Sequence, residues 1–197
     1  LKIEMDSWKN LAVEGHTNGE NPWFDYHNLL TNPMSKIVGA KNTETVVMNS
    51  LTTNLHILMI TFFQPDKKKF KIMIDSPSFP SDKYAVQSQL KLHGLDPVKD
   101  LVEINTFRNG KCVSENEIYH NIESNIDDVA LILFSGVNYY TGQFYNIESI
   151  TNLAHKNGCM IGFDLAHAAG NVILSLNRWN VDFACWCGYK YLNGGPG

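Results

Sequence analysis

An apolar run near the end of the chain leads directly into a lysine. Residues 181–187 read as a short buried strand, followed by Gly188, Tyr189 and Lys190 and then by a glycine cluster at 194–197. Burying an unpaired ammonium group costs several kcal/mol or removes its proton. A neutral, partly desolvated lysine amine is what Schiff-base chemistry on a carbonyl requires. The alternative interpretation is an ordinary solvated lysine in a loop after a strand.

A second polar residue ends another apolar run. Residues 159–163 predict a short buried strand, Asp164 stands at its carboxyl end, and His167 follows three residues later. Open α/β sheets bind ligands outside the carboxyl ends of their strands. A carboxylate fixed there can pair with a protonated pyridine nitrogen, although it can equally cap the start of a helix.

Strand and helix patterns alternate from residue 43 onward, after an irregular segment at 1–42. Further strands are predicted at 45–48, 70–75, 101–104 and 129–134, and helices at 51–62, 83–92, 113–122 and 147–156. Repeated units of this length predict an α/β fold with a mostly parallel sheet flanked by helices. Asp82, Ser135, Asp164 and Lys190 all follow strands, so we expect them to line one crevice.

Two loops in this alternation suit an anion and a flat aromatic ring. Leu51 and Thr52 open a predicted helix behind Ser50, and free N–H groups at a helix start favour an anion, although simple capping would explain the same residues. Phe79 is held between prolines, which suits stacking on another ring. A hydrophobic contact leading into the next helix is the alternative for Phe79.

Composition excludes several classes of function. The 197 residues suffice for one domain with a substantial core. The net charge of −4 gives no basic surface for nucleic acid, and no apolar stretch is long enough to span a membrane. Neither a dinucleotide-binding glycine motif nor metal-ligand spacing among the histidines is present in the sequence. Four cysteines without a paired framework favour a reducing compartment, which we take to be the cytoplasm.

Several motifs, in order, resemble one family. They are Asn49 through His56, Phe79-Pro80-Ser81-Asp82, Phe134 through Gln143, Asp164-Leu165-Ala166-His167, and Cys185 through Gly195 around Tyr189-Lys190. Together they resemble the kynureninases, which are pyridoxal-phosphate (PLP) enzymes of the aspartate-aminotransferase fold type. The resemblance runs from about Gly15 to the last residue, so it covers nearly the whole chain.

The resemblance implies a cofactor, a reaction and a set of site residues. Lys190 would bond covalently to PLP and move protons, Asp164 would keep the pyridine nitrogen protonated, and Tyr140 would act as an acid beside the substrate carbonyl. Other implied cofactor contacts are Leu51, Thr52, Phe79, Pro80, Ser81, Asp82, Ser135, His167 and Tyr189. His16 would border the substrate pocket, in a neighbouring subunit of a homodimer. The family reaction is hydrolytic Cβ–Cγ cleavage of L-kynurenine or 3-hydroxykynurenine, which releases alanine and an anthranilate.

Residues 43–197 would then form an incomplete PLP-binding large domain, with residues 1–42 bordering the site and the family's small C-terminal domain absent. Two alternatives remain open at this stage. One is a different PLP reaction on the same scaffold, as in class V aminotransferases or cysteine desulfurases. The other is a truncated, non-catalytic α/β domain.

Overall fold

The computed structural model describes residues 1–195; residues 196 and 197, the end of the predicted glycine cluster and of the predicted large domain, lie outside the described residues. The strands are β1 Lys71–Ser76, β2 Leu101–Asn105, β3 Phe107–Arg108, β4 Lys111–Cys112, β5 Val129–Ser135, β6 Met160–Asp164 and β7 Phe183–Cys185. The α-helices are α1 Lys2–Leu11, α2 Thr31–Val38, α3 Leu51–Phe62, α4 Pro80–Leu92, α5 Glu115–Glu123 and α6 Ile147–Lys156. Short 3₁₀ helices cover Ala12–His16, Trp23–Leu29 and Asn42–Glu44.

Five strands form one sheet in the order β2-β1-β5-β6-β7, and every pair in it is parallel. The predicted α/β fold is therefore confirmed. The chain moves from β1 to one side for β2 and to the other side for β5, so the strand order reverses between β1 and β5. Ligands of open α/β sheets bind in the crevice at such a reversal, beyond the carboxyl ends of the strands.

The central strands are buried on both faces, as expected for a parallel sheet covered by helices. On one face, residues of α3 and α4 pack on β1 and β5, including Leu55, Val86, Ile72 and Leu131. On the other face, α5 and α6 cover alternate residues of β5 and β6, with Phe163 among them. The two apolar layers fix the sheet, and the sheet fixes where its carboxyl edge lies.

Three local predictions need correction. Residues 45–48 do not form a strand, because no neighbouring strand pairs with them in the described structure and Val46 is exposed. Residues 107–112, for which no strand is predicted, form the β3–β4 hairpin, because Asn109 and Gly110 both adopt positive φ angles that suit a two-residue hairpin turn. Helix α4 begins at Pro80, earlier than predicted, since proline is well suited to the first position of a helix.

Within residues 1–195, none of the helices combines the length and the apolar character needed to cross a bilayer.

Candidate functional site

A cavity of about 120 Å³ opens at the carboxyl edge of the sheet. Its walls come from the ends of β1, β5 and β6, the starts of α3 and α4, and the turn after β7. Ten of the predicted site residues line it: Leu51, Thr52, Phe79, Ser81, Asp82, Ser135, Asp164, His167, Tyr189 and Lys190. The structure therefore brings together residues that lie as far apart in the sequence as Leu51 and Lys190.

Two carboxylates meet in this cavity. Asp82, in the first turn of α4, and Asp164, at the end of β6, are both buried. Burial raises the pKa of Asp82, and the adjacent Asp164 carboxylate raises it further, to about 9. Two like charges this close in a desolvated site cannot both be ionised without a large cost, so the pair retains a proton.

Asp164 also makes a hydrogen bond that shows whether it caps the start of a helix. Its Oδ1 accepts a hydrogen bond from the Ala166 N–H at 2.7 Å. The residues that follow form a turn rather than a helix, so Asp164 caps a turn and not a helix N-terminus. This bond occupies one carboxylate oxygen, and Asp164 also lines the cavity.

Lys190 is half-buried at the rim of the cavity, between aromatic rings. Its Nζ lies 5.0 Å from the ring centroid of Tyr189, 6.0 Å from that of Phe79 and 3.7 Å from the Cys187 sulfur. Burial is the largest single influence on the Lys190 pKa and lowers it, but the Tyr189 hydroxyl and the negative charge of neighbouring groups together raise the pKa above its usual value. Desolvation by these residues alone therefore does not give a neutral amine at Lys190.

His167 contributes an uncharged ring to the same wall. Burial lowers its pKa, and the positive charge of Lys190 lowers it further against the opposing effect of Asp164. The imidazole is therefore neutral at pH 7. Its Nδ1 lies 3.5 Å from the Tyr191 hydroxyl.

The start of α3 forms the end of the cavity that suits an anion. Ser50 is the N-cap, and its hydroxyl accepts a hydrogen bond from the Thr53 N–H at 3.4 Å. Leu51 and Thr52 follow and line the cavity. The first N–H groups of an α-helix have no partner within the helix, and the helix dipole favours negative charge there.

The loop before α4 supplies an aromatic ring. Phe79 is half-exposed and meets Tyr139 edge-on, with ring centroids 5.2 Å apart. The Ser81 hydroxyl donates to Asp82 Oδ1 at 3.2 Å, which supports the carboxylate. Pro80 begins α4 and does not line the cavity.

Two further predicted residues lie outside the cavity lining. Tyr140 is 63% exposed and packs edge-on against Phe107, with ring centroids 5.5 Å apart. His16 ends the Ala12–His16 helix and packs edge-on against Trp23 at 5.3 Å. Neither residue contributes to the cavity wall of this chain.

Asp75 is a cavity residue that the sequence interpretation missed. It lies near the end of β1, is buried, and accepts hydrogen bonds from the Ser135 N–H, the Ser135 hydroxyl and the Asn138 amide. Burial raises the pKa of Asp75, and these three hydrogen bonds act in the opposite direction. The signal was available, since Asp75 ends a predicted apolar strand just as Asp164 does.

Among residues 1–195, no cluster of three or more histidine, cysteine or acidic side chains could hold a metal ion. The four cysteines are free; Cys112 is exposed, and Cys159, Cys185 and Cys187 are buried. The donor set of the cavity is therefore one amine, a carboxylate pair and a helix N-terminus. These are the groups that an aldehyde, a basic ring nitrogen and a phosphate would need, so the residues present fit PLP.

Comparison with known proteins agrees with this geometry. The family model described as Aminotransferase class-V matches residues 23–197. A kynureninase of Flavobacterium psychrophilum is 52% identical over 193 residues, which are 98% of this chain and 45% of the relative. A kynureninase of Nematostella vectensis is 49% identical over 98% of this chain and 42% of its own length.

A solved structure confirms the fold at much lower identity. A C-DES mutant with glycine covalently linked to its PLP cofactor superposes with a TM-score of 0.75 at 15% identity, over 99% of this chain and 50% of that one. The chain spans a little under half the length of the curated relatives named above. The resemblance to the kynureninases is confirmed along nearly the whole chain, and the chain belongs to the class-V aminotransferase family.

Proposed function

We propose that this chain is the cofactor-binding part of a PLP-dependent hydrolase that cleaves the Cβ–Cγ bond of L-kynurenine or 3-hydroxykynurenine. The products would be L-alanine and anthranilate or 3-hydroxyanthranilate. The observation that carries the proposal is the single cavity in which Lys190 meets the Asp82–Asp164 pair, in a chain about half identical to curated kynureninases.

The residues of this chain would hold PLP at three points. Lys190 would bond to the aldehyde carbon, and Asp164 would pair with the ring nitrogen. The start of α3, at Leu51 and Thr52, would bind the phosphate. When bound, PLP supplies the electron sink that carbon–carbon cleavage requires. The Asp82–Asp164 pair favours a positive charge beside it. The repulsion between the two carboxylates makes the pair hold a proton, and a neighbouring cation would reduce that repulsion.

Other side chains would shape the ring site and handle protons. Phe79 and the neutral His167 offer the ring faces on which a planar cofactor can lie, and Tyr189, with Thr52, would donate to the phosphate. Ser135 would contact the cofactor from the end of β5. Lys190 would move protons between cofactor and substrate once released.

Hydrolysis also needs a group that protonates the oxygen of the substrate carbonyl when water adds to it. We assign this role to Tyr140, whose exposed ring lies 6.2 Å, between centroids, from the ring of the cavity residue Tyr139, so a bound substrate could reach its hydroxyl. His16 would complete the substrate pocket of a partner subunit, because it lies outside the cavity of its own chain.

We further propose that the protein forms a homodimer in the cytoplasm. Helix α1 buries none of its residues, and Trp8, Val13 and Phe24 are at least two-thirds exposed. Large apolar side chains grouped on one segment are typical of an interface, which a second copy would cover. Three buried free thiols and no disulfide suit a reducing compartment.

A cysteine desulfurase is the less favoured reaction on this scaffold. Such an enzyme needs a mobile nucleophilic cysteine that reaches the cofactor. Cys112, the exposed thiol, lies on the β3–β4 hairpin and does not line the cavity, and the three other cysteines are buried. An aminotransferase or a non-catalytic domain would be revealed by the assay below.

The test begins with PLP added to the protein as its gene encodes it, followed by borohydride. We expect a visible absorbance band and, after reduction, a pyridoxyl group on the peptide that contains Lys190. Lys190→Ala should lose both, whereas the surface variant Lys99→Ala should keep both. Fluorescence of the anthranilate product then tests L-kynurenine and 3-hydroxykynurenine separately. A labelled Lys190 without product from either substrate would refute the reaction, and transfer of the amino group instead would indicate an aminotransferase.

A further inference from the structure

The turn after β5 is tied to the end of β1 by a buried carboxylate. We propose that Asp75 is a positioning residue that, through Asn138, fixes the rim loop, which we define as residues 135–142, and thereby holds the backbone of Tyr140 next to the cavity residue Tyr139. The positioning of the loop is independent of the reaction. Its consequence for catalysis rests on the proposed function.

Asp75 accepts three hydrogen bonds. Its Oδ1 accepts the Ser135 N–H at 3.1 Å, and its Oδ2 accepts the Ser135 hydroxyl at 2.5 Å and the Asn138 amide at 3.0 Å. All three donors come from β5 or the loop after it. Asp75 therefore connects the two strands between which the strand order reverses, at the edge where the cavity opens.

Asn138 links Asp75 to the loop and is only 1% exposed. Its amide nitrogen donates to Asp75 and also to the Pro77 carbonyl at 2.9 Å. Its amide oxygen accepts the backbone N–H groups of Tyr140 at 3.0 Å and Thr141 at 3.1 Å. Both ends of one side chain are thus occupied, with Asp75 on one side and the backbone of Tyr140 on the other.

These bonds require one orientation of the Asn138 amide. Within residues 1–195 no lysine, arginine or histidine forms an ion pair with Asp75, so its polar contacts there are hydrogen bonds. An acceptor at position 75 makes Asn138 point its nitrogen inward and its oxygen toward the loop. If Asn138 turned over, its nitrogen would face the N–H groups of Tyr140 and Thr141, and both bonds would be lost.

This polarity predicts a reciprocal pattern of variants. Asp75→Asn turns one acceptor into a donor, so either the Ser135 N–H or the Asn138 amide nitrogen faces an amide nitrogen. Asn138→Asp places two carboxylates side by side. Each change should loosen the loop. The double variant Asp75→Asn with Asn138→Asp restores one donor and one acceptor across the contact. If the two substitutions merely destabilised the protein, their effects on the loop would add in the double variant. If the contact between residues 75 and 138 positions the loop, the double variant should disturb the loop less than either single variant.

The experiment measures backbone amide exchange of the ligand-free protein as its gene encodes it, so the result depends on neither cofactor nor substrate. We expect amide exchange of Tyr140 and Thr141 to accelerate about tenfold in each single variant, because such a change corresponds to the loss of roughly one hydrogen bond. In the double variant the exchange rates should return toward those of the wild type. Asp128→Asn, a carboxylate pairing with Lys71 before β5, is the matched control and should leave the loop unchanged. Asn138→Ala is a second route to the same loss if Asp75→Asn fails to fold.

Activity then tests the consequence. If the proposed function holds, Asp75→Asn should keep the PLP band at Lys190 and lower kcat more than it raises KM, because Tyr140 acts on the bound substrate. Wild-type exchange rates at Tyr140 and Thr141 in Asp75→Asn or Asn138→Ala, or a double variant no better than the worse single one, would overturn the proposal. Absence of kynurenine cleavage in the wild-type protein would refute the function and leave the exchange result to decide the role of Asp75.

Discussion

The carboxylate pair in the cavity predicts how the stability of the ligand-free protein depends on pH. Burial and the neighbouring Asp164 raise the pKa of Asp82 above its usual 3.8, to about 9. The folded state then holds a proton that the unfolded chain has released. Rising pH therefore favours unfolding throughout the interval between these two pKa values.

The magnitude follows from the number of protons. One proton bound in the folded state and not in the unfolded state changes the free energy of unfolding by about 1.4 kcal/mol per pH unit. Between pH 5 and pH 8 the pair should therefore lower that free energy by up to about 4 kcal/mol. Asp75 acts in the same direction, because burial raises its pKa as well, and His167 acts in the opposite direction, because its pKa is lowered. Comparing the wild type with a variant that lacks one of the two carboxylates therefore isolates the contribution of the Asp82–Asp164 pair.

The assay is urea unfolding at pH 5, 6, 7 and 8, without cofactor, for the wild type and Asp82→Asn. The variant cannot share a proton with Asp164, so its free energy of unfolding should fall less steeply with pH, and its advantage over the wild type should grow toward pH 8. Asp127→Asn, which removes an exposed carboxylate, should follow the wild-type slope. Parallel slopes for Asp82→Asn and the wild type would refute the shared proton.

Three simpler predictions follow from packing, reactivity and capping. Gly162→Ala should destabilise the fold by about 1–3 kcal/mol, because an added Cβ would lie 2.1 Å from the ring of Phe183, which is held by stacking on Phe62; unchanged urea unfolding would contradict this. Of the four thiols in this chain, Cys112 alone should react rapidly with a thiol reagent in the native protein, as peptide mass spectrometry would show, because the other three are buried. Ser50→Ala should cost about 1 kcal/mol in urea unfolding through loss of the α3 N-cap, and an unchanged midpoint would argue against that cap.

Part of the site could be predicted because of a simple property of parallel sheets. Each central strand is an apolar run, and the first polar residue after the run stands at the carboxyl edge. Ser135 and Asp164 are such residues, and the strand register places them directly opposite each other on β5 and β6. Periodicity along the chain was therefore enough to predict that they meet.

Predictions were weaker where a segment's structure or role depends on a neighbouring strand, a substrate or a second subunit. The β-branched run at 45–48 has strand propensity, but a strand forms only where another strand pairs with it, and none does in the described structure. For Tyr140 and His16, local sequence places each in a loop or a short helical turn without saying which surface lies opposite. Their proposed roles depend on a bound substrate and on a second subunit.

Asp75 shows why a strand-end carboxylate is harder to interpret than to locate. It occupies the same kind of position as Asp164, yet its oxygens accept hydrogen bonds from Ser135 and Asn138, 60 and 63 residues later in the chain. Those donors decide that Asp75 holds a loop, whereas the repulsion between Asp82 and Asp164 leaves that pair ready for a cation. What distinguishes the two carboxylates is the set of donors supplied by the adjacent strand, and that set exists only once β1 and β5 have paired.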